Sequence, residues 1–151
     1  MPEHRGDAAR EAPALTRAYL ALSASYGRTV SAAELPEALT GLLTQLQQLT
    51  RDMNADFSLI LGLGYSIHTG GERQAARGKP EERPLAELSS ARASAGAGAL
   101  AVFLAHPGAG QGAPQTFTAA AADLLAALVE IADRLGTDFE ACLMASHDDP
   151  Q

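Results

Sequence analysis

The sequence predicts an all-α protein, a helical bundle of about four to five helices, on three observations. Leu35, Leu39, Leu42, Leu46, Leu49 and Met53 follow one another at alternating steps of four and three, the spacing that keeps an apolar seam on one side of a helix. The chain is rich in alanine and leucine, has only 5% aromatic residues and has no Trp, which favours helices packed closely through small side chains. Stretches of helical periodicity are bracketed by capping residues and glycines.

Residues 1–12 mix both charge signs and contain no apolar segment, so they read as a disordered tail and not as a signal peptide. A single helical domain is expected over 13–147. Pro13 suits the first turn of a helix running to about Ser25, with Leu15, Ala18, Tyr19 and Leu22 on one face and Gly27 as its C-terminal cap. Ser31 and Glu34 form a capping-box pattern, and Pro36 fits as an early residue of the seam helix over 35–53. The residues between the seam positions, among them Thr40, Thr44, Gln45, Gln47, Gln48, Thr50 and Arg51, are polar and uncharged or basic. Such a seam must be buried against other helices or against a second copy of itself.

Residues 57–67 are ambiguous. Phe57, Leu59, Leu61, Leu63, Tyr65 and Ile67 alternate with mostly small residues, a period-two pattern that leaves a strand open. Phe57, Ile60, Leu61, Gly64 and Ile67 also make a helical face, and the helical surroundings favour helix. Gly62 and Gly64 would then cost about 1 kcal/mol each relative to alanine, while allowing a neighbour to approach closely. Residues 69–84 are a glycine- and proline-containing loop, long enough to suggest mobility or function. A helix is expected from Leu85 to His106 on Leu85, Leu88, Ala95, Ala99, Val102 and Phe103. Its small-residue middle, Ser89 to Gly98, serves tight packing or breaks at Gly96 and Gly98; in the second case 99–105 is a strand beside 57–67. Pro107 to Pro114 is a loop. Thr118 can cap a helix ending at Leu135, with Leu124, Leu128, Ile131 and Leu135 in line and Gly136 closing it. Thr137 and Glu140 form a second capping-box pattern that opens a last helix carrying Phe139, Leu143 and Met144.

Charge and cysteine content narrow the function. The net charge is -7 and there is no basic run, so the surface repels phosphate backbones and anionic membranes, and no nucleic-acid partner is expected. No apolar run approaches the roughly 18 residues of a membrane span. Cys142 is the only cysteine, which excludes an intrachain disulfide and a zinc site with two or more thiolates; it reads as a small buried hydrophobe in a cytoplasmic protein. No phosphate-loop, serine-hydrolase or zinc-protease motif is present. His4, His68, His106 and His147 are scattered.

The acidic pairs are the constellation with chemical potential. Glu34 with Glu37, and Glu130 with Asp133, are each three residues apart, which places both carboxylates on one side of a helix. Two such helices facing each other can hold a magnesium ion that bridges phosphate oxygens and orients a water. The competing reading is that these are solvated faces and charges beside helix N-termini.

Ala122-Asp123-Leu124-Leu125 through Ala132-Asp133-Arg134-Leu135-Gly136-Thr137-Asp138-Phe139-Glu140-Ala141 resembles the end of all-α nucleotide pyrophosphohydrolases of the MazG-like kind. The resemblance implies hydrolysis of nucleoside triphosphates to monophosphate and pyrophosphate, with magnesium held by an ExxE helix and an ExxD helix in a dimer or tetramer. Glu130-Ile131-Ala132-Asp133 matches the ExxD pattern, with Asp123 as an alternative aspartate for which Ala120 replaces the glutamate, and Glu34-Leu35-Pro36-Glu37 can stand in for ExxE. The chain departs from the family in lacking the doubled glutamate, in the proline inside the pair and in the long separation of the two motifs. The spacing of Tyr19, Val30 and Glu34-Leu35-Pro36 is also similar to the start of MucR-type regulators, whose zinc finger the single cysteine argues against.

Two readings result. The first is a non-catalytic helical interaction or regulatory module that self-associates as a homodimer or binds a protein partner and needs no cofactor. The alternative is a divergent magnesium-dependent nucleoside triphosphate pyrophosphohydrolase with Glu34, Glu37, Glu130 and Asp133 as metal ligands.

Overall fold

The structure, a computed structural model, describes residues 16–69, 82–90, 94–105 and 116–148. The expected tail at 1–12, most of the 69–84 loop and the Pro107–Pro114 loop lie outside the described residues. What is described is helical, with no strand among the described residues. Helix α1 covers 16–26. A short 3-10 turn, Ala32–Glu34, leads into α2 (Leu35–Asp52), followed by α3 (Phe57–His68), a 3-10 segment (Leu85–Ser90), α4 (Ser94–Ala105), α5 (Phe117–Arg134) and α6 (Phe139–Asp148).

The local chemistry of α1 and α2 follows the sequence. Gly27, at φ 89°, ends α1 with its amide on the Ser23 carbonyl at 2.9 Å. Ser31 donates its backbone N–H to the Glu34 carboxylate at 3.1 Å, and Pro36 sits in the first turn of α2, where a missing N–H costs nothing. Every seam residue from Leu35 to Met53 is at most 2% exposed. The seam is covered from within the chain, since α2 packs against α6 and α4. Its flanks are tied by polar contacts: Ser25 of α1 donates to the Gln45 side chain at 2.6 Å, and Gln47 donates to Ser146 of α6 at 2.7 Å.

Asn54 stops α2. It takes a left-handed conformation, φ 58°, so that its own amide reaches the Arg51 carbonyl at 3.0 Å and the Ala55 amide reaches Thr50 at 2.9 Å. Gly136 ends α5 in the same way, with Thr137 donating to Ala132 at 2.8 Å. These are paired Schellman closures, one built on asparagine and one on glycine.

Both strand alternatives are overturned. Residues 57–67 are helical because Asp56 caps the segment, its carboxylate accepting from the Ser58 and Leu59 amides, and because the apolar residues extend round α3 and mimic alternation. The helix lies along α5, brought close by Gly64, whose missing Cβ would stand 3.0 Å from the Cβ of Leu125. Residues 99–105 belong to α4, where Ala99, Leu100 and Phe103 are buried at helical spacing. Gly96 and Gly98 do not break that helix. A Cβ at Gly96 would meet the Gln45 carbonyl oxygen at 2.7 Å, so the glycine is what lets α4 settle on α2. The expected continuous helix from Leu85 is corrected as well: Leu85–Ser90 is a 3-10 segment, pinned at its start by the Arg83 amide on the Met53 carbonyl at 2.8 Å.

Two caps differ from expectation. Thr116, not Thr118, caps α5 by accepting from the Ala119 amide at 3.0 Å. Asp138, not Thr137, caps α6 by accepting from the Ala141 amide at 3.1 Å. The helix most enclosed is α5, since Leu124, Leu125, Ala126, Ala127, Leu128 and Val129 are consecutive and all buried, which covers every side of more than one turn. Of its expected line, Leu124, Leu128 and Ile131 are buried while Leu135 is 53% exposed. One cluster of buried side chains draws on all six α-helices.

Candidate functional site

The two acidic pairs occupy separate surroundings. Glu34 and Glu37 project from the entrance of α2 towards the end of α1. There the Tyr26 hydroxyl reaches Glu37 at 3.2 Å and Glu34 at 3.5 Å. Arg28 pairs with Glu34, lies 5.0 Å over the Tyr26 ring and donates to its hydroxyl at 3.4 Å. Glu34 is held below the usual carboxylate range, chiefly by the Ser31 backbone N–H, with the Ser31 hydroxyl and Arg28 adding to it against some desolvation. Tyr26 is pushed up by desolvation first, then by its hydrogen bond to Glu37 and the charges of Glu34 and Glu37. The Tyr26 hydroxyl, shared by Glu34 and Glu37, and the Arg28–Glu34 pair fasten the end of α1 to the start of α2.

Glu130 lies on α5 facing the end of α3. One of its oxygens is 2.7 Å from Arg134 Nε, a turn further along, and the other is 3.2 Å from His68 Nδ1. Of the nominated residues, Glu34 and Glu37 share the Tyr26 hydroxyl, while Glu130 is engaged by Arg134 and His68 and Asp133 is exposed. Among the described residues no three His, Cys, Asp or Glu side chains are grouped so as to hold a metal ion. Tyr26, Arg28 and His68 were not nominated by the sequence. Tyr26 and Arg28 carry a local signal, a tyrosine and an arginine at the glycine that ends α1, whereas the pairing of His68 with Glu130 depends on how α3 lies on α5.

Glu82 makes a long-range polar contact without a sequence signal. Its carboxylate accepts from the Thr118 amide at 3.1 Å and from the Thr118 hydroxyl. Cys142 is buried, its thiol 3.6 Å from the Pro36 carbonyl, in keeping with a packing role. Among the described residues, four large apolar side chains stand out: Leu20, Leu59, Leu135 and Met144 at 37, 38, 53 and 66% exposure. Leu59 differs from the others in its setting. It lies on α3, which has no charged residue before His68 and whose main neighbour among the described residues is α5. Only Ile60 and Gly64 of α3 are fully buried, while Phe57, Leu61, Leu63, Tyr65 and Ile67 are half-buried. Gly62, on the outward side, has open space where a Cβ would stand. No helix of the described residues is long and apolar enough to cross a membrane.

No family model matches the chain, and no curated protein and no solved structure is significantly similar to it.

Proposed function

We propose that the protein is a non-catalytic helical interaction module that self-associates, with the outward face of α3 as its contact. The observation that carries this reading is the half-covered state of α3. A helix that is apolar nearly all round is normally enclosed; α3 carries no charged residue before His68 and yet keeps Leu59 in the open. Covering such a face recovers about 25 cal/mol for each Å² of apolar surface removed from water. A second copy suits it electrostatically. Two chains of net charge -7 repel across most approaches, and α3, which contributes no acidic residue of its own from Phe57 to His68, is a segment where that repulsion is reduced.

The same dimensions set the strength. A helix rising 1.5 Å per residue is about 18 Å long over the 12 residues of α3, which supports a contact at the small, transient end of the interface range. The acidic residues support a non-catalytic role, because Glu34, Glu37 and Glu130 are each engaged by neighbours in structural pairs.

The test is sedimentation velocity over a concentration series of the wild type and Leu59→Glu. The wild type is expected to shift towards a larger species as concentration rises, and the variant to stay monomeric with unchanged helical content. A wild type that stays monomeric at every concentration overturns self-association. Magnesium-dependent release of pyrophosphate from nucleoside triphosphates, abolished by Asp133→Asn, would overturn the non-catalytic reading in favour of the pyrophosphohydrolase.

A further inference from the structure

We draw no further inference here: the strongest candidate, the open depression between the end of α1 and α4 lined by Leu20, Ala24, Gly27, Arg28 and Val102, carries none because nothing in the structure shows what covers it.

Discussion

The carboxylate of Glu82 accepts both the backbone N–H and the hydroxyl of Thr118, a residue with no exposed surface in the first turn of α5. The first amides of a helix have no partners inside it. Thr116 satisfies the Ala119 amide and Glu82 satisfies the Thr118 amide, so two side chains from different segments complete one cap. The next residue does the reverse job at another helix end. Arg83 donates its amide to the Met53 carbonyl at 2.8 Å and its guanidinium to the Asp52 carbonyl at 3.1 Å, closing the C-terminus of α2. An acidic side chain at the positive end of α5 and a basic one at the negative end of α2 both follow the helix dipole. The Glu82-Arg83 dipeptide thereby fixes where α2 ends relative to where α5 begins.

Removing this strap tests that role. Glu82→Ala leaves the Thr118 hydroxyl and amide without an acceptor and is expected to cost about 1–3 kcal/mol. Thr118→Val keeps the shape and removes one of the two bonds, so it should cost less. In a double-mutant cycle read from urea midpoints, the two losses should fall short of additivity by roughly 1 kcal/mol, as expected for residues in direct contact. Additive losses would show that the two groups stabilise the fold independently.

Gly96 and Gly98 lie two residues apart in α4 and should respond oppositely to alanine. At Gly96 the new methyl meets the Gln45 carbonyl oxygen at 2.7 Å, a backbone atom that cannot turn away, and overpacking of this kind costs about 1–3 kcal/mol. At Gly98 the methyl enters open space, and the better helix propensity of alanine should add up to about 1 kcal/mol. Denaturant midpoints at unchanged slope decide it. Equal effects at the two positions would mean that α4 does not settle on α2 as described.

Asn54 holds its left-handed conformation without being glycine. Asn54→Gly should be neutral or stabilising, whereas Asn54→Ala should destabilise by about 1 kcal/mol, because a Cβ without a compensating polar side chain is strained there. Thermal unfolding of the two variants beside wild type gives the order directly.

Glu34 sets a pH dependence. Its carboxyl titrates lower in the folded protein than its ordinary value of 4.5, so the folded state binds fewer protons than the unfolded state near that pH. The resulting stabilisation is present above the ordinary carboxylate range and is lost as pH falls through the depressed folded value. The stability difference between wild type and Glu34→Gln should be constant near neutrality and shrink on acidification below about pH 4.5. A difference that grows on acidification would contradict the assigned sign.

Much of the fold is legible locally because helix signals are local. The Leu35–Met53 seam, the Ser31–Glu34 cap, Gly27 and Gly136 all act within a turn or two of backbone, and each is found where the pattern places it. The caps of α5 and α6 shifted by one or two residues because Thr116, Thr118, Thr137 and Asp138 are all competent caps. Which one serves depends on where the helix axis comes to lie. The alternation at 57–67 left a strand open beside the favoured helix for a related reason: a helix apolar on nearly every side satisfies a period of two as readily as 3.6. Three-residue spacing made Glu34 and Glu37 legible as neighbours, whereas the engagement of Glu130 by His68, which depends on how α3 lies on α5, was not.

The sequence by itself determined that the chain is all-α, where several of its helices stop, and that the leucine seam would be hidden, because dihedral preference and apolar periodicity operate within a few residues. Only the tertiary structure decided that α5 is the enclosed helix, that Gly96 admits α4 onto α2, that Glu82 reaches Thr118, and that α3 keeps Leu59 outside. Those outcomes depend on which helices become neighbours, and that choice is made by packing between residues far apart in the chain, where a local pattern carries no information.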